Sequence, residues 1–169
     1  MKIHHALLPA PAARPDEAGF TLIELLIVVG IMGIAALMAV PNYIQWNARS
    51  QLRQAVSELQ GNFSLARMVA MNLNTTVIVT PSVTGGQLTA TFTNPAGGTV
   101  MSPFTETVRE LTGVTVTGGS TVQFNSLGLR VGGGGPIQTV TLTNRYGLIY
   151  SIGVTAGGKV RWCANTACS

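Results

Sequence analysis

A chain of 169 residues has room for one modest domain and one or two appended segments. Hydrophobic residues make up 46% and charged residues only 9%, with a formal net charge of +4. An average soluble protein carries roughly 25% charged residues, so a charged disordered tail and a highly charged soluble surface are both excluded. Two Cys are too few for a disulfide-built scaffold. The residues are also unevenly distributed. Of 20 Thr, 19 lie at or after Thr75, as do 16 of the 20 Gly. The front half is apolar and helix-prone, and the back half is of the strand-and-turn kind.

Residues 1–19 hold three Pro and both His, and lack the apolar core of an ordinary secretory signal. Leu22 to Val40 then runs for 19 residues with a single charge, Glu24. At about 1.5 Å per residue, a helix from Phe20 to Val40 matches the roughly 30 Å hydrocarbon core of a bilayer. A buried helix of that length would need a larger soluble domain than the remaining β-type sequence supplies. Residues 20–40 therefore read as a transmembrane segment. Its orientation does not follow from charge, because Lys2 and Arg14 before it are matched by Arg49 and Arg53 after it.

Glu24 is costly in such a segment, by about 2.5–3.5 kcal/mol on insertion scales, and acids so placed usually have a partner. No Lys or Arg lies between Phe20 and Ala48. Cleavage after Gly19 would create an α-amine on Phe20 at nearly the same depth, suited to the Glu24 of a neighbouring chain. The alternative is a carboxyl tolerated without a partner near the membrane edge. Gly30 and Gly33 form a small-residue patch, equally consistent with close helix approach and with ordinary glycine tolerance in membranes.

The stretch Gly19-Phe20-Thr21-Leu22-Ile23-Glu24-Leu25 resembles the class III signal of type IV prepilins and type II secretion pseudopilins. The resemblance implies cleavage after Gly19 and N-methylation of Phe20 by a prepilin peptidase, and an assembly role for Glu24. It also implies a leader (1–19) on the cytoplasmic side of the inner membrane and a periplasmic remainder. Pro41 stands where pilins commonly place a helix-loosening proline, and removal of its backbone donor is expected to bend or interrupt the helix.

Beyond Pro41, residues 41–74 read as an amphipathic helix. Leu52, Val56, Leu59, Phe63, Ala66, Ala70 and Leu73 recur at spacings of four and three, forming one apolar stripe, with Arg53, Gln60 and Arg67 on another face. From residue 75 to 169 the chain reads as a β domain. Strands are expected at 75–80, 87–92, 114–117, 121–124, 139–143, 148–154 and 159–162, with hairpin turns at 144–147 and 156–158. The expected fold is α+β: a long N-terminal helix packed on an antiparallel sheet. Gly132 to Gly135 is no phosphate-binding loop, because no Lys-Ser/Thr pair follows it.

The back half is similar to the GspH/FimT minor pilins and pseudopilins at Val122-Gln123-Phe124-Asn125-Ser126-Leu127-Gly128, at Val140-Thr141-Leu142 and at Gly158-Lys159-Val160-Arg161-Trp162-Cys163. In the oxidising periplasm this resemblance implies, Cys163 and Cys168 would close a small loop; two free thiols are the alternative.

Loss of residues 1–19 would leave no His and no Asp, and only Glu24, Glu58, Glu106 and Glu110 as acids. A Ser-His-Asp system and a His- or Asp-based metal site are then impossible, and neither an enzyme nor a cofactor is expected. The remaining chain carries eight Lys or Arg against four Glu. Arg130, Arg145, Lys159 and Arg161 fall in the second half, beside Trp162, and such a set can hold nucleic-acid backbone and stack a base. Some FimT-like proteins bind DNA through a Gly-Arg-x-Arg tail. Here that stretch reads Gly158-Lys159-Val160-Arg161, and the charges serve equally to solvate a nearly neutral domain. The expected role is a structural filament subunit with other pilin subunits as partners. A DNA-binding tip, a type II secretion pseudopilin and a lone membrane-anchored module are the alternatives.

Overall fold

The computed structural model describes residues 19–166 and Cys168, so most of the leader (1–18) lies outside the described residues. Helix α1 spans Leu22–Asn72. Thr21 caps it: its Oγ1 accepts the Glu24 backbone N–H at 3.3 Å, and its carbonyl accepts that of Leu25. Thr followed three residues later by Glu is the spacing of a helix start. The helix comprises two stretches, Leu22–Leu37 and Asn42–Asn72, and Pro41 falls in the short break between them. No single helix among the described residues is long and apolar enough to cross a membrane alone. The two stretches together pass that test by length and composition.

The chain divides into two units at Val40 and Pro41. In the first, every large apolar residue from Leu22 to Leu37 keeps between 46% and 82% of its surface exposed. Among the described residues, the second unit comprises the rest of α1 and nine strands. They are β1 (Val77–Thr84), β2 (Gln87–Thr93), β3 (Thr99–Thr107), β4 (Leu111–Val116), β5 (Val122–Phe124), β6 (Arg130–Val131), β7 (Ile137–Asn144), β8 (Ile149–Thr155) and β9 (Val160–Cys163). Two antiparallel sheets result, one in the order β3-β2-β1-β5-β6 and the other β4-β7-β8-β9.

The helical stripe meets alternating strand residues in one core. Leu52, Val56, Leu59, Phe63, Ala66 and Ala70 are fully buried, against Val77, Val79, Phe92 and Phe124 of the first sheet and Val140, Leu142 and Ile152 of the second. Each large apolar side chain so buried contributes about 1.5–3 kcal/mol. The stripe ends sooner than its periodicity suggests. Leu73 lies beyond the last helical residue and is 57% exposed.

Two strands escape the sequence reading. β3 contains Pro103, an ordinary strand breaker, but lies at a sheet edge where a bulge opposite Thr91 accommodates it. β6 is only two residues long. β1 also continues through Pro81, because beyond Val79 it pairs with β2 alone and leaves one side unbonded.

Candidate functional site

Gly19 and Phe20 precede the helix and are exposed, Phe20 by 79%. A Cβ built on Gly19 would meet nothing within 4 Å. The peptide between them is therefore non-helical and open to an enzyme. Glu24 occupies the third helical position, where a carboxylate complements the positive end of the helix dipole. It has no basic partner among the described residues. The apolar surface that follows it is exposed on all sides, as in a helix whose solvent is lipid or other helices.

The basic residues of the back half do not form one patch. The turns on either side of β8 sit at opposite ends of that strand, so Arg145 and Lys159 are separated by its length. Arg145 pairs with Glu110, Nε to Oε2 at 2.8 Å, and its guanidinium lies over the Tyr146 ring. Its pKa is raised above its ordinary value, first by a hydrogen bond with the Tyr146 side chain and then by the Glu110 charge. Arg130 donates to the carbonyls of Gly132 and Gly135, closing the glycine loop on itself.

Lys159 and Arg161 share the edge strand β9 and its approach. Trp162 alternates with Arg161 and points the other way. Its ring packs on Tyr150 with centroids 5.9 Å apart, while Arg53 of the helix stands over it at 5.4 Å. Trp162 is therefore part of the helix-to-sheet packing, and it is not placed to stack a base beside Arg161.

Cys163 and Cys168 are joined by a disulfide. The bridge folds the tail over the outer face of β8, where Cys168 is buried, its Sγ lies 3.5 Å from the Ser151 carbonyl oxygen, and its Cβ fills the space above Gly153. That is why β8 is buried on both faces from Tyr150 to Val154.

Two groups were less apparent from the sequence. Arg67 Nε donates to the Gly128 carbonyl at 2.8 Å, and Gly158 packs against both. Trp46, Arg49 and Arg53 line one face of the helix opposite Tyr150. The spacing of an aromatic and two Arg just past an apolar run was the available signal for the second group.

A family model described as the prokaryotic N-terminal methylation motif matches residues 14–40. The type IV major pilin protein PilA of Myxococcus xanthus is 48% identical over 51 residues, 30% of this chain and 23% of that protein. A fimbrial protein of Pseudomonas aeruginosa is 56% identical over 43 residues, 25% of this chain and 28% of that one. The chain thus matches about a quarter of the length of these relatives. A crystal structure of the type IV minor pilin FimU from Pseudomonas aeruginosa superposes with a TM-score of 0.51 at 15% identity, covering 67% of this chain and 88% of that one. The likeness to FimU lies in the fold. The chain is type IV pilin-like in its N-terminal segment, and its α+β architecture is that of a pilin.

Proposed function

We propose that the chain is a minor structural subunit of a type IV pilus-type filament, one that primes or caps assembly. A prepilin peptidase cuts after Gly19 and methylates Phe20. The subunit is then stored in the inner membrane through residues 20–40, with the rest in the periplasm. On assembly the new amine of one subunit meets Glu24 of the next. The observation that carries this reading is an acid without a basic partner among the described residues, a few residues past an exposed glycine junction, on a helix whose apolar surface is exposed all round. The role is architectural. Intact-mass measurement of the native polypeptide should find it starting at a methylated Phe20, and Glu24→Lys should keep the subunit out of sheared filaments. A polypeptide beginning at Met1, together with normal incorporation of Glu24→Lys, would falsify the proposal.

DNA capture is a second reading, favoured by the common edge position of Lys159 and Arg161. It is narrower than the sequence suggested, because Arg145 and Trp162 are engaged elsewhere. Lys159→Ala with Arg161→Ala should then abolish a DNA affinity that falls steeply with salt. Unchanged binding in that variant removes the tail from consideration.

A further inference from the structure

Within the unit from Pro41 onward, α1 separates its charges in two ways. From Asn42 to Arg53 its charged residues are Arg49 and Arg53, whereas from Gln54 to Ala66 its one charged residue is Glu58. At about 100° per residue, Glu58 stands about 180° around the helix from Arg49 and about 140° from Arg53. A basic flank and an acidic flank therefore lie on opposite sides. All three side chains are exposed. Neither arginine has an acidic partner among the described residues, and Glu58 has no basic one. Its Oε1 instead accepts a hydrogen bond from Gln54 Nε2 at 3.0 Å, one turn back on the same helix.

The basic flank is also shaped to receive a side chain. Trp46, Arg49, Ser50 and Arg53 face Tyr150 across an open cleft of about 250 Å³, and Arg49 borders a second cleft of about 420 Å³. Among the described residues, no carboxylate lines this groove. Arginine takes a carboxylate in its planar fork, and Trp and Arg are the residues that most often anchor protein interfaces. Trp46 is 66% exposed beside them. The acid that the groove suits is present on the opposite flank of the same helix. A two-fold pair joined flank to flank would set arginine against arginine, and like charges repel. Copies in one orientation instead bring Glu58 of one against Arg49 and Arg53 of the next, offset along the helix by about 8–14 Å. Each copy then keeps one free flank, so addition can repeat. We infer that a second copy of this chain docks its Glu58 flank in the Arg49–Arg53 groove, a head-to-tail contact through which the chain primes assembly by first adding to itself. The inference deepens the filament-subunit reading, on which it rests for its setting.

The test uses the full-length protein in neutral detergent, with a thiol introduced beside each flank. Its own two cysteines are joined to each other, so only introduced thiols react with a bismaleimide. Ser50→Cys lies on the basic side, in the cleft wall, and Asn62→Cys lies one turn beyond Glu58 on the acidic side. The two positions are about 18 Å apart along the helix and about 120° around it, beyond the reach of a short bismaleimide within one chain. Ser50→Cys copies mixed with Asn62→Cys copies should cross-link into a dimer, at least tenfold more than either variant alone. A chain carrying both changes should give a ladder of higher oligomers. Glu58→Arg in the Asn62→Cys copy should lower the mixed product at least tenfold, and Arg49→Glu with Arg53→Glu in the other copy should restore it. Because Arg53 packs on Trp162, recovery of part of the yield by Arg49→Glu alone decides the matter if the double reversal unfolds. Absence of the mixed product, a Ser50→Cys dimer in excess of it, or a yield indifferent to Glu58→Arg overturns the inference. Shearing of filaments from cells separates the two levels. A chain recovered in filaments that gives no mixed product overturns only this inference. One that cross-links head to tail in detergent yet is never recovered in filaments overturns only the filament reading.

Discussion

Gly128 and Gly158 lie thirty positions apart in the chain and meet at the guanidinium of Arg67. A Cβ on Gly158 would stand 2.8 Å from Arg67 Nε and closer still to the Gly128 carbonyl oxygen, at a φ of +75°. Steric overlap and the left-handed backbone act together, so Gly158→Ala should cost on the order of 3 kcal/mol, read as a lowered urea midpoint. Arg67→Ala removes a charge-assisted hydrogen bond and should cost about 1.5–3 kcal/mol. The two changes share a contact, so a double-mutant cycle should be non-additive. The glycine of the Gly158-Lys159-Val160-Arg161 stretch thus has a packing duty independent of any ligand.

Arg145 illustrates a charge with little leverage on pH dependence. Its folded-state pKa is raised, so the stability it lends is present below its unfolded pKa and lost only above the folded one. That window lies beyond any working alkaline pH. Urea midpoints between pH 7 and 10 should show no step that Arg145→Gln abolishes.

At the scale of elements, the helix was the most legible part. A stripe at spacings of four and three cannot pack as anything else, and Leu52, Leu59 and Phe63 lie fully in the core. Phe63→Ala should cost about 3–5 kcal/mol by the same urea assay, with the cavity adding to lost burial. The strands were legible where β-branched residues alternate, as in β7 and β8. They were not where a tertiary setting overrides local chemistry. Pro103 reads as a breaker until the bulge and sheet edge around it are known. Trp162 reads as a ligand-facing aromatic until strand parity turns it toward Tyr150. Gly19, Phe20 and Glu24 could be proposed from sequence because the motif they form is local in the chain. The Arg49 groove was not, because its opposite wall comes from residues about a hundred positions away.

At the scale of the whole molecule, the two units obey different solvents. Residues Leu22–Leu37 leave their apolar side chains open, whereas the unit from Pro41 onward has a closed core with helix and sheets contributing together. The first therefore depends on surroundings that the second does not need. Replacing Glu24 should leave the urea midpoint of the folded unit unchanged while altering filament incorporation, a separation measurable on one preparation.

The nine-residue flank of β3 is a place where another polypeptide could add itself indefinitely. Pro103 withholds a donor there, and Glu106 sets a negative charge on the same rim. Pro103→Val with Glu106→Val should turn a clear solution cloudy on storage, followed by light scattering and thioflavin fluorescence, while the parent stays transparent. Keeping that rim blunt thus guards the folded unit against uncontrolled growth.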